Sequence, residues 1–137
     1  MRKMRSEFRL QISPAACVWA AFLFLLLPLK WIFAAMIAAT FHELFHILAV
    51  RLCGGKLGAL TIGDRGAVLQ TGDLSSGKSL LCSLAGPLGS FLLVIFLRQI
   101  PRIAICALIQ GIYNLLPIYP LDGGRVLQTL RDLKNRP

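Results

Sequence analysis

Acidic residues are scarce in this chain. Six Asp and Glu stand against fifteen Lys and Arg among 137 residues, and charged residues of both signs reach only 15%. Soluble domains carry about 25%. Histidine is rarer still, with two, and the four cysteines (Cys17, Cys53, Cys82 and Cys106) form no C-x-x-C pair. Each scarcity excludes something. Cysteines 24 to 36 residues apart do not make a disulfide framework or a zinc ribbon, so they read as reduced packing residues. So few charges cannot clothe the chain in a water-facing surface, since 56% of it is apolar and its mean hydropathy is +0.70. Small domains bury too little of their chain to hide that much apolar surface, which leaves lipid to cover it. The net charge of +9 does not point to nucleic acid. The basic residues fall in small groups between apolar runs, which is how membrane proteins set their orientation.

What is present is a set of long apolar runs within a single domain, 1–137. A membrane helix needs about 20 predominantly apolar residues. Segments 10–29, 79–97 and 103–121 contain no charged residue, and 31–50 contains only Glu43. The spacing predicts helices over 10–29, 31–52, 79–97 and 103–121, with Pro28-Leu29-Lys30 as the turn between the first two. Arg2, Lys3, Arg5 and Arg9 before an apolar run also fit a signal peptide. The run, however, continues into a second spanning segment with no convincing cleavage site, so a retained helix is expected. Twelve Lys and Arg lie in the N-terminal arm, the central loop and the C-terminal tail, against three (Lys30, Arg98 and Arg102) in the opposite turns. That asymmetry predicts both termini and the central loop in the cytoplasm, with the protein integral to the cell membrane. The loop 54–78 is the one sizeable polar region. Within it Leu60-Thr61-Ile62 and Ala67-Val68-Leu69 flank Gly63-Asp64-Arg65-Gly66, a β-hairpin pattern. The hairpin reads either as a plain structural loop or as an edge strand able to pair with an extended peptide. The expected fold is an all-α polytopic membrane protein of four transmembrane helices, with a short cytoplasmic hairpin after the second.

Both histidines fall in Phe41-His42-Glu43-Leu44-Phe45-His46. Four residues apart on a helix they share a face, so both imidazoles can reach one metal ion, and Glu43 between them can accept a proton from an attacking water. Ionisable groups inside a membrane helix are costly and default to functional roles. Catalytic zinc takes three protein ligands. With no further histidine, the third must be a carboxylate or a cysteine. Of the remaining acids only Asp122 adjoins a membrane segment. It lies nine residues before Arg131, as His42 lies nine before Arg51. The competing readings are a polar cluster packing two helices, and for Asp122 a turn residue before Gly123-Gly124 or a partner for Arg125. Asn114, Pro117 and Pro120 place hydrogen-bonding groups and a helix break at the end of the fourth segment, where an unwound substrate backbone would need them. For Asn114 an Asn–backbone bond between helices remains the alternative.

The pair F-H-E-L-F-H and N-L-L-P-I-Y-P-L-D-G-G resembles the site-2 protease family of intramembrane zinc metalloproteases. Asn114, Pro117, Leu121, Asp122 and Gly123 match its second motif, Asn-x-x-Pro-x-x-x-Leu-Asp-Gly, position for position. The resemblance spans residues 34–130 and implies Zn²⁺ held by His42, His46 and Asp122, Glu43 as general base, and a membrane-spanning protein substrate contacted by Asn114. The family often carries Gly-Pro-x-x-Asn in the intervening helix; here Ala85-Gly86-Pro87-Leu88-Gly89-Ser90 has Ser90 in place of that Asn, so the substrate contact expected there does not carry over. The chain reads as the family's minimal core, without a PDZ or CBS module. The alternative from another class is a catalytically silent membrane metalloprotein acting as a binding scaffold, against which stands Glu43, since binding metal does not require it.

Overall fold

The computed structural model describes residues 10–12, 14–55, 57–63, 66–71 and 74–135. The basic arm with Arg2, Lys3, Arg5 and Arg9, the turn residues Asp64 and Arg65, and Arg136 lie outside the described residues. In chain order the elements are β1 (Leu10–Ile12), α1 (Pro14–Leu26), α2 (Leu29–Leu52), β2 (Leu57–Gly63), β3 (Gly66–Thr71), α3 (Ser76–Phe96), α4 (Pro101–Asn114) and α5 (Asp122–Lys134). Prolines set many of these boundaries. Pro28 adopts an extended conformation ahead of α2, and Pro101 opens α4 at a position whose N–H would be unpaired anyway. Helix α2 ends in a Schellman motif. Gly54, at φ +74, and Gly55 return their N–H groups to the carbonyls of Arg51 and Val50, a path that favours glycine. Lys78 Nζ then donates to the Cys53 carbonyl at 2.9 Å, fastening the end of α2 to the start of α3.

Three expected boundaries change. The first apolar segment is not one helix over 10–29. Leu10–Ile12 pairs in parallel with Leu60–Ile62 of β2, and α1 keeps only 13 residues. The fourth is not helical to 121. Helix α4 stops at Asn114, because Pro117 and Pro120 lack amide protons and push the residues before them out of the helical region. The basic tail is a fifth helix, α5, starting at Asp122. Its pattern Val126, Leu127, Leu130, Leu133 is amphipathic, with acid in the first turn and Arg131 and Lys134 in the last. Among the described residues two helices, α2 and α3, are long and apolar enough to cross a membrane, at about 36 and 31 Å by helical rise. Strands β2 and β3 pair antiparallel up to Gly63↔Gly66, giving a small sheet of order β1-β2-β3.

The interior is built on small side chains. Helix α2 buries Ala34, Ala38, His42, His46 and Val50, a single face at four-residue spacing, against α3 and α4. Helix α3 answers with Gly86, Pro87, Gly89, Ser90 and Leu93, and α4 with Ala107 and Gly111. On the outer side of α2, Phe33, Met36, Ile37, Phe41, Leu44 and Leu48 are each at least 40% exposed, an arrangement suited to lipid rather than water. A Cβ on Gly89 would approach the Phe45 Cβ to 2.8 Å and overlap its ring, so glycine is what lets α2 and α3 close. Gly89→Val is therefore expected to destabilise the packed helices by about 1–3 kcal/mol. Gly77→Ala, with nothing near its Cβ, should be neutral. Thermal unfolding of the two variants in detergent measures the difference.

Candidate metal centre

The buried face of α2 carries the two histidines between two apolar clusters. Ala38, Leu93 and Ala107 lie on one side, and Val50 and Cys82 on the other. His42 and His46 are 2% and 9% exposed. Their rings meet edge to face with centroids 4.9 Å apart. Asp122, first residue of α5 and also buried, joins them across the sequence. Its Oδ2 lies 3.1 Å from Nε2 of His42 and 3.1 Å from Nε2 of His46, and the two Nε2 atoms are 3.2 Å apart. These three residues form the metal-capable cluster found among the described residues.

Glycines make the convergence possible. A Cβ on Gly86 would overlap the Nε2 atoms of both histidines. At the other end Gly123 faces the Leu115 and Leu116 carbonyl oxygens, and Gly124 faces the Ile118 carbonyl, each closer than a Cβ allows. The first turn of α5 thus sits directly on the non-helical stretch 115–121. That stretch turns through a cis Tyr119-Pro120 bond, and its path brings Asp122 to the histidines.

The proton inventory tests whether this site fits a metal. His46 Nδ1 is 2.7 Å from the Cys82 carbonyl oxygen, which can only accept, so Nδ1 carries the proton. In the neutral ring Nε2 is then a bare lone pair, aimed at a carboxylate oxygen that is also an acceptor. Two buried acceptors 3.1 Å apart repel unless something positive lies between or beside them. A bound cation meets that need directly. Three donor atoms at 3.1–3.2 Å separations also approach the roughly 3.3 Å edge that 2.0–2.1 Å bonds to tetrahedral zinc require. Ligating histidines commonly give their other ring nitrogen to a carbonyl or similar partner, as His46 does here. The residues fit the group.

The other candidate residues are placed as follows. Glu43 is half-buried on α2, next to His42. Asn114 ends α4, where its Nδ2 donates to the Gln110 carbonyl at 3.0 Å, within its own helix rather than across to a neighbour. The structure brings further neighbours to the centre, Ser90 among them, which the sequence marks only as standing in place of a motif Asn. Ser90 Oγ lies 2.9 Å from His42 Nδ1. The Cys82 carbonyl holds His46 from α3, one turn before Pro87, which supplies no N–H to the Ser83 carbonyl four residues earlier. A cavity of about 270 Å³ opens beside His46, lined by Ser79, Tyr119, Arg125, Gln128 and Asp132 among others. Asp132, which reads from sequence as part of a solvated tail, stands on its wall. The signal available for α3 was the string of small residues from Ala85 to Ser90, which marks a close helix contact.

A family model described as peptidase M50B-like matches residues 15–118, ending just short of Asp122. A zinc metalloprotease of Methanocaldococcus jannaschii is 27% identical over 139 aligned positions, covering 91% of this chain and 38% of that protein. The chain thus spans well under half the length of this curated relative. Among solved structures, a site-2 protease from Methanocaldococcus jannaschii superposes with a TM-score of 0.80 at 20% identity, over 98% of this chain and 72% of that one. At that identity the likeness establishes the fold.

The cluster geometry sets two expectations. Gly86→Ala should expel one imidazole from the centre, and Asp122→Asn should remove the charge that balances a divalent cation. Both should sharply lower zinc retained by purified protein, measured by elemental analysis, while Gly77→Ala retains it.

Proposed function

The chain belongs to the peptidase M50B-like family, and we propose that it is an intramembrane zinc endopeptidase cleaving a membrane-spanning or membrane-tethered protein. The observation carrying this reading is the convergence of two imidazole nitrogens from α2, the helix that also bears Glu43, with one carboxylate oxygen from α5, all buried and within 3.2 Å of one another. In this reading His42, His46 and Asp122 hold the metal. Zinc bound there would polarise the scissile carbonyl and make a water acidic enough to attack at neutral pH.

The chain's own residues do the rest. Glu43 accepts the proton of the attacking water and delivers it to the leaving amine, so one carboxylate serves as base and then as acid. The carbonyl of Cys82 holds the His46 imidazole. Asn114, where α4 gives way to the stretch before Asp122, contacts the unwound substrate backbone, which has lost its internal hydrogen bonds and needs others at membrane depth. The family relation and the motif Glu43 completes favour this over a silent metal-binding scaffold.

For the membrane arrangement, we place four apolar segments in the bilayer, α1 and α4 with their flanking apolar residues beside α2 and α3. The β2–β3 hairpin, α5 and both termini lie on the cytoplasmic side of the cell membrane. The Lys and Arg asymmetry supports this orientation. A reporter fused after Pro137 should be active in the cytoplasm, and a cysteine placed at Lys30 should react with an impermeant reagent from outside.

Glu43→Gln tests the mechanism, since it removes the base and spares the ligands. Cleavage of a membrane-embedded model substrate should fall by about 10²–10⁴-fold, with zinc content unchanged. Wild-type rates in Glu43→Gln protein would refute the mechanism, and lost zinc would make Glu43 part of the metal site instead.

A further inference from the structure

The two histidines of the centre are held by different chemistry. His46 Nδ1 faces a backbone carbonyl, which accepts and nothing else. His42 Nδ1 faces the hydroxyl of Ser90 at 2.9 Å, and a hydroxyl can accept or donate. Ser90 is fully buried, at 0% exposure, and His42 is 2% exposed, so water does not compete for this bond. The serine is also closely packed. A Cβ on Gly111 of α4 would stand 3.2 Å from Ser90 Cβ, so α4 leaves little room beside it.

We propose that Ser90 is a positioning residue for His42: its hydroxyl accepts the Nδ1 proton, which holds the ring with the Nε2 lone pair turned toward His46 Nε2 and Asp122 Oδ2. The proposal rests on the metal-centre reading and deepens it. The argument runs through geometry. A half-turn of the imidazole would exchange the faces presented by its nitrogens and carbons, and would put a carbon where the lone pair must be. The backbone does not forbid that turn; a specific partner at Nδ1 does. His46 has such a partner on the main chain, which no substitution can remove. His42 depends on a single side chain for the same service, which makes that side chain the point at which the centre can be tuned. Ser90 also stands where the sequence resemblance expects an asparagine. An amide at that place can likewise face a ring nitrogen, which makes a positioning role compatible with either residue.

The test is the zinc dissociation constant of the purified chain in detergent, by chelator competition. The visible spectrum of the Co²⁺-loaded protein gives a second readout of ligand geometry. Ser90→Ala is expected to weaken zinc binding 10–100-fold, the range found when an outer partner of a ligating histidine is lost, and to change the Co²⁺ band intensities. The pair Ser90→Thr and Ser90→Val separates the hydroxyl from packing, because both crowd Gly111 equally and only Thr retains the oxygen. Thr should bind zinc well over tenfold tighter than Val. This comparison decides the matter even if Ser90→Ala does not fold. Wild-type affinity in Ser90→Ala, or equal affinities in Thr and Val, would overturn the proposal. The outcome is separable from that for proteolysis. Hydroxyl-dependent zinc affinity in a chain that cleaves nothing supports Ser90 and sinks the protease reading. Cleavage by a wild type whose zinc affinity is indifferent to Ser90 does the reverse.

Discussion

The contact on which this fold depends is Asp122 Oδ2 at 3.1 Å from the Nε2 atoms of both His42 and His46. Taking a carboxylate out of water costs several kcal/mol even after relaxation. Asp122 opens α5, so the positive end of a helix dipole faces it, but that contributes at most about 2 kcal/mol in favourable geometry. The dipole is too small to offset the desolvation. Hydrogen bonds from neutral imidazole do not close the gap either, because the His46 nitrogen facing Asp122 is itself an acceptor once Nδ1 serves the Cys82 carbonyl. The comparison of magnitudes favours a cation at this point, and the ligand types, two imidazoles and a carboxylate, are those zinc accepts.

Bringing three such atoms together demands close backbone approach on every side, and glycine provides it. Gly86 makes room for both rings from α3, and Gly89 lets α3 reach α2 beside Phe45. Gly123 and Gly124 let α5 press onto the carbonyls of 115–118. None of these positions is demanded by a left-handed backbone; each is demanded by what a methyl group would strike. Gly54 is the exception, with its φ of +74 at the end of α2. There the Schellman closure and the Lys78 bond fix where α3 begins relative to α2, and so fix the height at which the Cys82 carbonyl meets His46.

Much of this was legible in the sequence, for physical reasons that also explain the misses. The histidine pair and Glu43 could be read because helical periodicity places residues four apart on one face, and α2 is an uninterrupted helix. The break before Asp122 was visible in Pro117 and Pro120. What could not be read was strand pairing between distant segments. Leu10–Ile12 looks like the start of an apolar helix, and becomes a strand only because Leu60–Ile62 lies beside it. No local signal carries that information. Helix α5 reads in the sequence as a basic tail, because Arg125, Arg131, Lys134 and Arg136 dominate it, while Gly123 and Gly124 serve contact with the stretch before Asp122. Ser90 is legible in the sequence only as a substitute for a motif Asn, and its place 2.9 Å from His42 appears only in the structure.

The way the helices hold together follows from the solvent. Where lipid surrounds a protein, burying a large apolar side chain gains little, since hydrocarbon is available on either side. Close packing and polar contacts must supply the cohesion instead. The two faces of α2 show that logic: Phe33, Met36, Phe41 and Leu44 lie outward, while Ala34, Ala38, His42 and His46 lie inward. The inward face therefore has free capacity for chemistry. In a water-soluble core of this size, two buried histidines and an aspartate would displace apolar volume the fold needs for stability. Here the inward positions are filled by small residues in any case, and a metal cross-linking α2 to α5 would add cohesion where the hydrophobic effect adds least. Metal site and structural core can then be the same set of atoms.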